Sequence, residues 1–170
     1  FLRQLGAAPA ASDEAALRGL LQARIDEEAE RLPPPTSFTE AMARRELWAD
    51  ALVFLRAEAE DARGGTPHAL EYAFGLPPGR GAPGDPGPAH LTFDAGPALR
   101  LRGQIDRIDR HRHGTYSIWD YKTGGTSSFS GGDILQDGQV LQWALYSYAF
   151  EALEGAEVRE AGYFFTSARE

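Results

Sequence analysis

The sequence contains no cysteine, and this absence excludes a disulfide framework, a zinc ribbon or an iron-sulfur cluster built from these residues. Any metal site in the chain must therefore use oxygen or nitrogen ligands. The sequence also lacks an apolar run near the roughly 18 residues that a membrane span requires. Its start, FLRQLGAAPA, lacks the basic flank and long apolar stretch of a signal peptide. We therefore expect no membrane association and a cytoplasmic location.

Positive charge is scarce overall but locally concentrated. The net charge of −8 argues against a nucleic-acid partner, because basic side chains supply most of the affinity for phosphates. The segment from Arg100 to Lys122, however, contains six Arg or Lys residues and only three Asp residues. Such a basic island with embedded carboxylates suits an enzyme that attracts a polyanion and still needs acidic metal ligands. The alternative is a solvated strand pair with alternating charges, and composition alone favours that alternative.

The 170 residues, 42% of them hydrophobic and 25% charged, suit one globular domain. We predict a single domain over 1–170, with a helical part (1–64) followed by a sheet core (66–170). Helices are predicted to end near residue 5 and to span about 12–32, 37–63 and 133–153. Ser12 and the S-x-x-E box at Ser37–Glu40 are the expected helix starts, and Gly155 is the expected stop. The last helix carries an apolar stripe of Ile134, Leu141, Leu145, Tyr148 and Ala152.

Alternating β-branched and aromatic residues predict four strands, at 68–75, 99–110, 115–124 and 161–167. His113-Gly114 forms the turn of a hairpin, and the Pro/Gly-rich stretch 77–98 is predicted to be a mobile loop without a packed element. The first three strands form a meander. A crossover helix then returns the last strand parallel, so we predict an α/β fold with a mixed central sheet flanked by helices.

The chemistry of the chain lies in GQIDRID (103–109) and in DYK (120–122). Successive strand residues point to opposite faces, so Asp120 and Lys122 share a face, and the hairpin brings Asp106 across from this region. Two close carboxylates need a cation between them, and hard oxygen ligands select Mg²⁺ or Mn²⁺. Lys122 would then orient or deprotonate a water and offset charge on a phosphate. Gly103 leaves room for a close backbone approach beside this site.

Simpler explanations exist for each of these residues. A bare D-x-K in a strand is most often a salt-bridged pair on a solvated face. Asp109 is expected to pair with a neighbouring arginine, and His111 and His113 are expected to face solvent beside the turn.

The ordered segments GQIDRID, DYKTG and LQWALY resemble the G-x-x-D, D-Y-K and Q-x-x-x-Y motifs of PD-(D/E)XK nucleases of the RecB and AddB type. The resemblance implies a restriction-endonuclease-like core. It also implies that Asp106 and Asp120 bind the metal and that Lys122 is the catalytic lysine. The carbonyl of Tyr121 would be an extra ligand and Glu71 a supporting one. Gln142 and Tyr146, with Arg107, would support the site or bind DNA.

The implied activity is that of a Mg²⁺- or Mn²⁺-dependent DNA exonuclease in DNA-end processing and double-strand break repair, with DNA and a helicase subunit as partners. In that family a metal-ligating histidine lies on an upstream helix, and this chain begins after it. We therefore expect a fragment that binds metal weakly or is inactive alone, and iron-sulfur cysteines of the AddB type would lie in the flanks. Two alternatives remain: a non-catalytic DNA-binding or scaffold module that retains the fold, and a chance D-x-K hairpin in an unrelated α/β protein.

Overall fold

The computed structural model describes residues 10–60, 64–77, 85–94, 96–124 and 140–166. The helix predicted to end near residue 5, and residues 133–139 of the last predicted helix, lie outside this part of the chain. The described helices are α1 (Glu14–Arg31), α2 (Ser37–Glu60) and α3 (Gln142–Glu154). The strands are β1 (Thr66–Phe74), β2 (Ala89–Leu91), β3 (Leu99–Leu101), β4 (Gly103–Arg110), β5 (Thr115–Lys122) and β6 (Glu157–Phe165). Among these helices, none has both the length and the apolar character needed to cross a membrane.

The chain forms two compact units. The first comprises Phe1–Arg63, Lys122–Ser127 and Phe165–Glu170, and it holds α1 and α2. The second comprises Gly64–Tyr121 and Ser128–Phe164 and contains the hydrophobic core. A single domain over 1–170 stays a prediction.

In the first unit, α1 begins later than the sequence predicts. Ser12 lies inside a 3₁₀ turn, Ala11–Asp13, and the α-helix starts at Glu14, so the prediction of Ser12 as the cap is wrong. Asp13 Oδ2 accepts the N–H of Ala10 at 2.8 Å and thereby holds this turn. The helix ends at Arg31, just before the three prolines 33–35, as predicted to within one residue.

The cap of α2 is also displaced, by one residue. The N–H of Thr39 donates to Oγ1 of Thr36 at 3.1 Å, and the N–H of Thr36 donates to Oγ1 of Thr39 at 3.2 Å. This reciprocal pair is a capping box, and Ser37 is already the first helical residue. The predicted box at Ser37–Glu40 is therefore wrong, because the Glu40 carboxylate is bound to the guanidinium of Arg44 at 2.7 Å instead.

The second unit is built on a four-stranded sheet with the order β1-β4-β5-β6. The pairs β1–β4 and β4–β5 are antiparallel, which confirms the meander. The sheet as a whole is mixed, so β6 runs parallel to β5 after the crossover through α3, as predicted.

A tight hairpin joins β4 to β5, as predicted. The N–H of His111 donates to Thr115 O at 2.8 Å, and the N–H of Gly114 donates to His111 O at 3.0 Å. Gly114 has φ +79°, a left-handed conformation that glycine adopts without steric cost and that three-residue hairpin loops require.

The Pro/Gly-rich stretch after β1 contains a packed element, so the prediction of a loop without one is wrong for its described residues. Strand β2 pairs with β3 in a separate two-stranded antiparallel sheet. Ala89 of β2 is buried in the core, and the Tyr148 hydroxyl donates to His90 O at 2.7 Å. Partners remote in sequence thus order a segment whose own composition could not.

Asp85 holds the backbone on the way into β2. Its carboxylate accepts the N–H groups of Gly87 and Gly75, each at 2.7 Å, and that of Leu76 at 3.0 Å. These bonds, that from Gly87 foremost, hold the pKa of Asp85 below its usual range. One side chain therefore satisfies three backbone donors that have no ladder partner.

The core of the second unit packs one side of α3 against the sheet. Its buried members are Phe74, Ala89, Ile105, Ile108, Ile118, Ala149 and Phe150. On α3 the packed positions are 146, 149, 150 and 153, whereas Leu141 and Ala152 of the predicted stripe are exposed. The stripe is therefore wrong at these two positions, whereas Leu145 and Tyr148 are half-buried and Ile134 lies outside the described residues. Phe150 packs between the rings of Tyr72 and Tyr116, at 5.5 and 5.2 Å between centroids.

Candidate active site

The candidate site forms where the paired region of β4 and β5 ends. The paired positions run from Arg110–Tyr116 to Arg107–Trp119. Beyond the last pair, the N–H of Tyr121 donates to Oδ2 of Asp106 at 2.7 Å. The Asp106 carboxylate thus lies against the peptide bond that joins Asp120 to Tyr121.

Asp120 lies at the end of the core face of β5. Tyr116 and Ile118 precede it at alternate positions and pack in the core, and Asp120 is itself only 4% exposed. Asp106 is half-buried. A buried carboxylate is stabilised by opposite charge or by hydrogen bonds, and a bound cation would be one source of such charge.

The donor set fits a hard divalent cation through two residues. Within the described ranges, no three His, Asp or Glu side chains converge on one point. The Asp106 carboxylate lies beside the residue that follows Asp120, and the metal-binding role of these two aspartates stays a prediction. Oxygen donors of this kind suit Mg²⁺ or Mn²⁺. Metal binding by the Tyr121 carbonyl stays a prediction.

Glu71 has a different environment from that pair. It is exposed, and its carboxylate accepts a hydrogen bond from the side-chain amide of Gln104. Its backbone has φ +58°, a left-handed conformation that is uncommon for a residue with a side chain. Its role as a supporting ligand stays a prediction.

Lys122 is the last residue of β5 and is half-buried. In a regular strand its side chain leaves on the same side as that of Asp120, two residues earlier. The catalytic role of Lys122 stays a prediction.

On the opposite face of β4 and β5 lies a buried polar network. Arg107 Nε donates to Asp109 Oδ1 at 2.7 Å, and both side chains are almost fully buried, with exposed fractions of 2% and 3%. Trp119 Nε1 donates to Asp109 Oδ2 at 3.1 Å, and Arg107 Nη1 donates to the Tyr121 hydroxyl at 3.2 Å. The prediction that Asp109 pairs with an arginine is confirmed.

This network fixes the residue next to the site. Arg107 is too buried to contact DNA, so of its two predicted roles only site support suits its position, and that role stays a prediction. The part played by Trp119 and by the Tyr121 hydroxyl is absent from the sequence prediction. The sequence does contain a pattern that indicates this network. Polar residues alternate along both strands of the hairpin, so their side chains lie on the same face and can contact each other.

His111 continues the same face toward the turn. It is 7% exposed and shares a hydrogen bond of 2.6 Å between its Nε2 and Ser117 Oγ. The expectation that it faces solvent is therefore wrong, because Ser117 on the neighbouring strand offers it a buried polar partner. His113, at the turn itself, is exposed as expected.

The Q-x-x-x-Y motif contacts the G-x-x-D motif. A Cβ on Gly103 would lie 3.0 Å from Cε1 of Tyr146 and 3.2 Å from Cζ of Phe74, so aromatic side chains, and not the predicted backbone, make the closest approach to Gly103. Gln142 Nε2 donates to the Tyr146 hydroxyl at 3.0 Å. The Q-x-x-x-Y pair therefore lies against the start of the strand that carries Asp106, and its role in support or DNA binding stays a prediction.

A mixed sheet with a carboxylate pair at the end of its central hairpin, crossed by a helix that carries Q-x-x-x-Y, has the architecture of a restriction-endonuclease-like nuclease. The chain belongs to the PD-(D/E)XK nuclease superfamily, whose family model matches residues 2–170. No protein among the curated sequences matches it. Members of this superfamily are typically nucleases that act on DNA and generally use divalent metal ions.

Proposed function

We propose that this chain is a Mg²⁺- or Mn²⁺-dependent deoxyribonuclease that hydrolyses phosphodiester bonds. The observation that supports this most is the hydrogen bond from the Tyr121 N–H to Asp106, which brings one carboxylate against the peptide that follows the second. A salt-bridged strand pair on a solvated face would leave Asp120 exposed, but Asp120 is buried.

In this proposal Asp106 and Asp120 hold the cation, which when bound supplies Lewis acidity to the scissile phosphate. The Tyr121 N–H fixes one oxygen of Asp106, so that carboxylate keeps its orientation. Lys122 offsets the negative charge that grows on the phosphate and orients the attacking water. The Asp109–Arg107 pair acts through the Tyr121 hydroxyl and positions this residue.

The finer part of the proposal is an exonuclease of the RecB/AddB type that acts with a helicase subunit on DNA ends, in the cytoplasm, during double-strand break repair. Its support is the order of the three motifs and the contact between Gly103 of the first and Tyr146 of the third. An exonuclease degrades linear DNA and leaves covalently closed circles intact, so cleavage of both substrates at equal rates would exclude this part.

The decisive experiment compares cleavage of labelled linear DNA in Mg²⁺ by wild type, Asp120→Ala and Lys122→Ala. We expect each variant to lose activity by about 100-fold or more, since each removes a group that stabilises the transition state. Asp94→Ala, which removes an exposed aspartate, is the matched control and should cleave like wild type. Undiminished cleavage by either site variant would overturn the mechanism.

A non-catalytic DNA-binding module that retains the fold is the second candidate. The observation in its favour is that no three metal-binding side chains come together in the described residues. It predicts that DNA binds in EDTA and that neither Mg²⁺ nor Mn²⁺ produces cleavage.

A further inference from the structure

A second polar site lies wholly within the first unit, between facing sides of α1 and α2. It is a pocket of about 230 Å³, lined by Arg18 and Gln22 of α1 and by Arg44, Arg45 and Trp48 of α2, with two aliphatic side chains of α1. No carboxylate lines it. It is much larger than the roughly 30 Å³ of a water molecule and smaller than the roughly 300 Å³ at which pockets for drug-sized ligands begin. Its size and its lining therefore suit a small anion.

Arg44 lines this pocket, and two carboxylates hold its guanidinium. Nη2 donates to Asp26 Oδ1 and to Glu40 Oε1, each at 2.7 Å, and Nε donates to Glu40 Oε1 at 3.0 Å. Asp26 is fixed in turn by the side-chain amide of Gln22 at 3.0 Å. The two carboxylates thus bind the Nε–Nη2 edge of the Arg44 guanidinium, and neither of them lines the pocket.

The other nitrogen of the same guanidinium has no such partner. Arg44 Nη1 is buried and makes no hydrogen bond with any described residue. A buried donor without an acceptor is costly, and native proteins nearly always supply one, from the chain, a water or a ligand. An anion oxygen in the pocket would satisfy it.

The other two arginines add charge at the same place. The guanidinium carbon of Arg18 lies 3.9 Å from the centroid of the Trp48 ring, a cation–π contact that orients it. Its contact with Glu14, at 3.6 Å between exposed side chains, is weak. Arg45 makes no ion pair with the residues that the structure describes. Its charge is therefore available to a ligand.

We propose that this pocket binds a phosphate group of a nucleic-acid backbone. Arginine forks bind phosphate oxygens in a bidentate geometry, as they bind carboxylates. Of these two anions, a backbone phosphate is the one that the proposed nuclease function brings to the chain. A base is a poorer fit, because Arg18 already covers a face of the Trp48 ring. The identity of the anion rests on the proposed nuclease function, whereas the pocket itself does not.

The test is the binding of a short, labelled, single-stranded oligonucleotide in EDTA, followed by fluorescence anisotropy at several salt concentrations. Arg45→Gln should weaken binding roughly tenfold and lower the salt slope by about 0.7, the contribution of one phosphate contact on a single strand. Arg56→Gln, on the same helix but outside the pocket lining, makes the same change in net charge and should bind like wild type. Thermal unfolding of both variants checks that they fold.

Equal binding by Arg45→Gln and Arg56→Gln would overturn the proposal. Calorimetric titration with inorganic phosphate distinguishes the source of the anion: phosphate binding that Arg45→Gln abolishes, with oligonucleotide binding unchanged, would indicate a site for free phosphate and would also overturn it. Neither assay needs cleavage, so an inactive nuclease leaves the result readable.

Discussion

At the scale of the residue, Gly103 links two motifs that are far apart in sequence. A side chain at position 103 would meet Cε1 of Tyr146 at 3.0 Å and the Phe74 ring at 3.2 Å. The glycine of G-x-x-D and the tyrosine of Q-x-x-x-Y therefore pack directly against each other. The spacing of the motifs predicts room at Gly103 but gives no indication of which side chain fills it.

We expect Gly103→Ala to destabilise the fold by about 1–3 kcal/mol, because the added methyl overpacks two aromatic rings. The opposing gain from a stiffer unfolded chain is only about 0.4–1 kcal/mol, so overpacking should prevail. Urea unfolding of the variant measures the difference. Gly124→Ala is the matched control, since a Cβ there meets nothing within 4 Å. Equal stabilities of the two variants would show that the rings at position 103 move aside freely.

Single residues differ in how far the sequence predicts their position. Asp106 and Asp109 could be placed near their partners because strand alternation and one hairpin fix the geometry between adjacent strands. The burial of His111 could not, since it depends on Ser117 being available across the hairpin. Strand alternation predicts the face of the sheet on which a side chain lies. Whether a polar side chain on that face is buried depends on the hydrogen-bond partner that the neighbouring strand provides.

At the scale of the element, α2 shows that two overlapping cap patterns can compete. T-x-x-T at Thr36–Thr39 and S-x-x-E at Ser37–Glu40 both suit a helix start, and the structure uses the first. The choice depends on Arg44, which binds the Glu40 carboxylate.

Thr36→Ala should therefore cost about 1 kcal/mol of stability, the usual value of a capping hydroxyl. Ser37→Ala should change stability by less than about 0.5 kcal/mol, because its hydroxyl does not form the cap. Chemical denaturation of the two variants side by side separates these outcomes. A larger loss in Ser37→Ala would show that the cap lies one residue later, where the sequence alone predicts it.

Elements that depend on remote partners were the ones that the sequence could not predict. Strands β4 and β5 follow from alternation, whereas β2 lies in a stretch whose proline and glycine content indicates a loop. Strand β2 is held by its pairing with β3 and by the Tyr148 hydroxyl, which donates to His90 O, and Asp85 fixes the backbone just before it. The buried side of α3 was missed for a similar reason, since two stripes had helical spacing and only the rings of the sheet select Phe150.

At the scale of the whole molecule, the distribution of charge matters more than its sum. The net charge is −8, yet the arginines at 100, 102, 110 and 112 are all exposed. Asp120 of the same region is buried and Asp106 half-buried. The surface around this hairpin is thus more basic than its composition indicates, which is compatible with a polyanionic substrate.

Metal binding should stabilise the entire chain. At a Mn²⁺ concentration 100 times the dissociation constant, one site contributes about 2.7 kcal/mol, or a rise in Tm of roughly 5–10 °C for a chain of this size. Scanning calorimetry with Mn²⁺ and with EDTA measures the rise. It should vanish in the double variant Asp106→Ala/Asp120→Ala, and an equal rise in that variant would place the ion elsewhere.

Tyr121 is held from two directions, by Asp106 at its N–H and by Arg107 at its hydroxyl. Each bond removes conformational freedom from the segment that follows Asp120, and that loss of entropy is incurred once, when the chain folds. A ligand that binds there later need not order this segment again, so more of its interaction free energy appears as affinity. In this way the hydrogen bond between Arg107 and the Tyr121 hydroxyl, on one face of the sheet, contributes to the affinity for a ligand at Asp120 on the opposite face.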